Sequence, residues 1–62
     1  MNAEQLLQAA LEKVESQSIR QWATSEHNRP IWIKLAELAL AKKPDASPDR
    51  FSTLIVCSAI GL

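Results

Sequence analysis

The chain has one cysteine, one glycine, one histidine and no tyrosine, and each shortage removes a class of chemistry. With only Cys57 there is no disulfide within the chain. A structural zinc site wants about four Cys or His ligands, and Cys57 and His27 are all that is offered. Gly61 alone cannot form a glycine-rich phosphate loop. Charge of one sign is missing too, since seven basic and seven acidic residues cancel. No net field therefore draws the protein to nucleic acid or to an anionic membrane. The longest apolar stretch, from Leu54 to Leu62, is about half of what a bilayer span requires. Met1–Gln5 carry no basic group and lead into no long apolar run, so no secretory signal is expected and the chain reads as cytoplasmic, without a membrane.

What is present is an ordinary globular composition, 47 % hydrophobic and 23 % charged. Sixty-two residues make one small domain, 1–62. A chain this short buries only about 60 % of the surface that its unfolded form exposes. Small domains add disulfides, a metal or a partner, and the first two are absent from the side chains here. A partner surface is the remaining expectation.

The periodicity is helical throughout. Asn2 and Gln5 fit a capping box. Residues 3–24 contain no Gly or Pro, and Leu7, Leu11, Val14, Ser18 and Trp22 recur at steps of three and four. They predict a first helix over about 3–24, with a weak point at Ser16-Gln17-Ser18. Ser25–Arg29 is a polar connector. Pro30 opens a second helix over about 30–43, with Asn28 or Arg29 before it as cap. Only Lys34 and Glu37 interrupt its apolar residues before Lys42 and Lys43, so it is expected to be the central helix. Ser47-Pro48-Asp49 is a strong helix start. A third helix, about 48–60, then runs to Gly61 as its stop. Its middle, Thr53–Cys57, is rich in β-branched residues and also fits a strand. With no second strand to pair with, helix is the better reading. The expectation is an all-α, three-helix domain that pairs as a dimer.

No catalytic constellation stands out. His27 lies in the polar connector beside Glu26 and Arg29, and Ser47 is explained by capping. No enzyme, cofactor or metal is expected. Cys57, among Leu54, Ile55, Val56 and Ile60, reads as a small buried hydrophobe.

Surplus apolar surface on the second and third helices is the informative feature. Trp22, Trp32, Phe51, Leu54, Ile55 and Ser58 are the candidate interface residues, although for Trp32 and Phe51 a place in the core is the better reading. Large aromatics in an uncovered patch anchor protein–protein contacts. The third helix, through Phe51, Leu54, Ile55 and Ser58, is the expected element of self-association. The leading function is a non-enzymatic protein–protein interaction module, such as a regulator or inhibitor acting on a host protein, with a homodimer as the expected partner arrangement. The alternative is a small DNA-binding transcriptional regulator with a degenerate helix-turn-helix. That reading needs Arg29, Lys42, Lys43 and Arg50 to converge on one face. A recognition helix carrying Arg50 as its only cation is poor equipment for base readout.

Overall fold

The computed structural model describes residues 1–61. Leu62, the end of the apolar stretch that begins at Leu54, lies outside the described residues. Four helices fold in sequence: α1 (Ala3–Glu12), α2 (Gln17–Thr24), α3 (Arg29–Lys42) and α4 (Pro48–Ala59). The fold is all-α, as the periodicity predicts, and the β-branched run in α4 is helical from end to end. The number of helices differs from expectation, because the predicted first helix is two.

The division has a local cause. α1 ends at Glu12, and its last turn tightens, with the amides of Lys13 and Val14 donating to Ala10 and Leu11 at 3.1 Å each. Ser16 is extended, and its hydroxyl accepts from the amide of Ile19 at 3.3 Å. It therefore caps α2, the role in which a serine contributes more than it does inside a helix. The Arg20 guanidinium reaches back to the Val14 carbonyl, one of the acceptors left over at the break. Val14 itself turns inward and is buried. The break thus sits just before the weak Ser16–Ser18 segment, with Ser16 as the starting cap of the new helix.

The other helix ends follow the sequence closely. The Asn2–Gln5 capping box is formed in both directions, at 2.8 and 3.0 Å. The Ser47 hydroxyl accepts from the Asp49 amide at 3.2 Å and starts α4. Gly61, at φ 78°, takes the left-handed conformation that ends a helix. α3 begins one residue earlier than predicted, with Asn28 as its cap and Pro30 in its first turn. The Asn28 side chain does not cap α3. Its amide donates instead to the Trp22 carbonyl at 3.0 Å, which ties the start of α3 to the end of α2.

The core gathers Leu6, Leu7, Ala10, Ala23, Trp32, Ala36, Phe51 and Ile55. Leu6 and Ile55 are its largest fully buried side chains, while Ala10, Ala23 and Ala36 are also fully buried. α1 packs against both α3 and α4, so it, not α3, is the central helix. α3 buries only Trp32 and Ala36 along its fourteen residues. Its apolar side chains are spread around its circumference, and one flank can face α1 while the rest cannot. The radius of gyration is 10.5 Å, against about 10.6 Å for a compact chain of this length. The chain is thus about as compact as its length allows.

Candidate functional site

The expected interface residues separate into two groups. Trp32, Phe51 and Ile55 are buried in the core. Trp22, Leu54 and Ser58 are exposed. The rings of Trp22, Trp32 and Phe51 form a chain of edge-to-face contacts, with centroids 5.9 and 5.8 Å apart and planes at 71° and 85°. Trp22 forms the outer end of this chain and is 37 % exposed. Of the α4 face expected to drive self-association, Phe51 and Ile55 point inward, while Leu54 and Ser58 stay on the surface.

The surplus apolar surface lies on α3. Ile31, Leu35 and Leu38 are 53 %, 36 % and 52 % exposed. Steps of four and three place them on one side of the helix, away from Trp32 and Ala36. Surplus apolar surface is expected on this helix, but Ile31, Leu35 and Leu38 are not among the candidate interface residues, because the helix that carries them reads as central. The available signal was the near-uniform apolar circumference of α3, which exceeds what one neighbouring helix can cover.

A second feature is an open groove of about 490 Å³ where α3 turns into α4. Ala39, Ala46, Phe51 and Leu54 give it an apolar floor, and Lys42, Lys43 and Arg50 stand along it with Asp45. The turn beneath is fixed by the Ala46 amide, which donates to the Lys43 carbonyl at 2.9 Å. Three of the four candidate cations thus gather at one corner. Arg29 does not join them: it starts α3, thirteen residues from Lys42, and lies 4.0 Å from Glu4. A second ion pair, Lys13 with Asp49 at 2.9 Å, links α1 to α4.

The remaining polar residues that the sequence singles out have structural surroundings. Glu26, His27 and Arg29 are exposed around the turn between α2 and α3. Cys57 is a half-buried free thiol on α4. Among the described residues no group of three or more His, Cys, Asp or Glu side chains gathers in a way that could hold a metal ion. No helix among them is long and apolar enough to cross a membrane.

The architecture defines a small all-α protein with an uncovered apolar stripe and a basic-edged groove. Comparison with protein-family models, with curated proteins and with solved structures finds no match to the chain.

Proposed function

We propose that the protein is a non-enzymatic interaction module that works by binding another protein chain, in the first place a second copy of itself, through the outer face of α3. The observation that carries this reading is the register of Ile31, Leu35 and Leu38, three large apolar side chains on one helix face that the fold leaves 53 %, 36 % and 52 % exposed. Such a stripe is the usual anchor set of helix-to-helix recognition. Its spacing suits a two-fold arrangement. In an antiparallel pairing of two α3 helices, Ile31 lies opposite Leu38 of the second copy on either side of a central pair of Leu35 side chains. A two-fold interface must be self-complementary in this way. Exposed Trp22, Leu54 and Ser58 lie on α2 and α4, outside this stripe.

The experiment is solution mass across a concentration series by size exclusion with light scattering. Twice the 6.9 kDa chain mass, reverting to the single mass in Leu38→Asp with unchanged helicity, is the expected result. A folded monomer at every concentration removes the homodimer.

A second reading, a small DNA-binding regulator, has one observation in its favour: Lys42, Lys43 and Arg50 share the α3–α4 corner. Phosphate contacts would give binding to random duplex that weakens steeply as salt rises. The absence of binding at low salt removes this reading.

A further inference from the structure

We infer that the α3–α4 groove is a second binding site, distinct from the α3 stripe, and that its occupant is an acidic peptide segment carrying large apolar side chains. This rests on reading the protein as a binding module, and it adds the chemistry of a partner that the α3 stripe does not specify.

Charge is the first argument. The chain as a whole is neutral, yet Lys42, Lys43 and Arg50 line one groove against a single acid, Asp45. The ion pairs among the described residues join Lys13 to Asp49 and Arg29 to Glu4, and neither involves these three cations. A local excess of positive charge with no ion-pair partner among the described residues is complementary to an acidic ligand and repels a second copy of the same corner.

The floor supplies the second argument. Ala39, Ala46 and Phe51 form a partly covered apolar surface, and Leu54 stands 47 % exposed at its edge. Phosphate groups leave such a floor unfilled, whereas a leucine or aromatic side chain covers it. An apolar floor beneath a charged edge matches the way amphipathic helices dock in grooves, with apolar anchors inward and charges at the rim. The Ala46–Lys43 hydrogen bond and the Ser47 cap fix the turn between the two helix ends that line it.

The test pans a displayed library of random peptides, long enough for about three helical turns, against the wild-type protein and against the Lys43→Glu, Arg50→Glu double variant. Both substituted side chains are exposed, and circular dichroism checks that the variant keeps its helices. The expected outcome is enrichment on the wild type of peptides with Asp or Glu three or four residues from a Leu, Phe or Trp. A synthetic copy of such a peptide then binds about tenfold more weakly to the double variant. It also binds more weakly to Leu54→Ser, and its amide perturbations map to residues 39–54. Leu38→Asp, which tests the α3 stripe, leaves this binding unchanged, so the two sites fail independently. Enriched peptides without acids overturn the inference, as do equal recoveries on wild type and double variant, or perturbations confined to Ile31–Leu38. Capture of random duplex DNA by the same groove, surviving Leu54→Ser, overturns it in favour of phosphate recognition.

Discussion

The edge of Trp22 meets Trp32 with ring centroids 5.9 Å apart, joining α2 to α3. This contact depends on the break between α1 and α2. With the hydrogen bond from Asn28 to the Trp22 carbonyl, this ring contact joins α2 to α3, while α2 also packs against α4. Trp22→Ala removes a partly exposed aromatic and one edge-to-face pair. The expected loss is about 1–2 kcal/mol, below the cost of a fully buried tryptophan. Urea unfolding followed by far-UV circular dichroism measures it. A loss under half a kcal/mol would show that α2 is held by other contacts.

Leu6 and Leu38 are the same residue type in opposite settings, one fully buried on α1 and the other half exposed on α3. Leu6→Ala is expected to destabilise by about 2–5 kcal/mol, enough to leave a domain of this size partly unfolded. Leu38→Ser should change the stability of the monomer by no more than about 0.5 kcal/mol. Thermal melts at low protein concentration separate the two, and similar melting temperatures would contradict the burial pattern.

Ser16 and Ser18 are neighbours with unequal roles. Ser16 accepts the Ile19 amide as the cap of α2, while Ser18 is the exposed second residue of that helix. Ser16→Ala should cost about 1 kcal/mol, and Ser18→Ala should be neutral or slightly stabilising. Amide exchange at Ile19 and Arg20 is the sensitive readout, since loss of the cap frees the first turn of α2.

The Lys13–Asp49 pair, 2.9 Å apart, is 48 % exposed at Lys13 and 75 % exposed at Asp49. A double-mutant cycle with Lys13→Ala and Asp49→Ala should give a coupling of about 0.5 kcal/mol, shrinking as salt is added. A salt-independent coupling of several times that size would mean that the pair is far better shielded from water than its exposure indicates.

Where local chemistry decides, the sequence was a good guide. The Asn2–Gln5 box, the Ser47-Pro48 start and the Gly61 stop each depend on side-chain or backbone groups within a few residues, and all three form as read. The α1–α2 break was half legible. Ser16–Ser18 marked a weak point, but a helical apolar spacing continues straight through it. Only the inward turn of Val14 and the reach of Arg20 to its carbonyl settle the matter. Leu6 was missed because it stands one step beside the stripe through Leu7, Leu11 and Val14. It is buried because α1 lies between two helices and has two covered flanks. The same fact displaced α3 from the centre. Composition shows how much apolar surface a helix carries, and only the packing of its neighbours shows how much of it is covered. Of the site, the three clustered cations and Leu54 were legible as residues, whereas the corner that gathers them depends on the angle between α3 and α4.

Three of the core positions, Ala10, Ala23 and Ala36, are alanines without any exposed surface. A methyl group has no rotamers to lose, so fixing these positions restricts no side-chain torsion, whereas a buried methionine or glutamine gives up as much as about 2 kcal/mol of freedom. A chain of 62 residues has little apolar volume with which to offset such losses. It closes instead by bringing backbones near one another at points where order costs almost nothing beyond the main chain. The bulky side chains are thereby released from filling the interior, and several of them stand outside it.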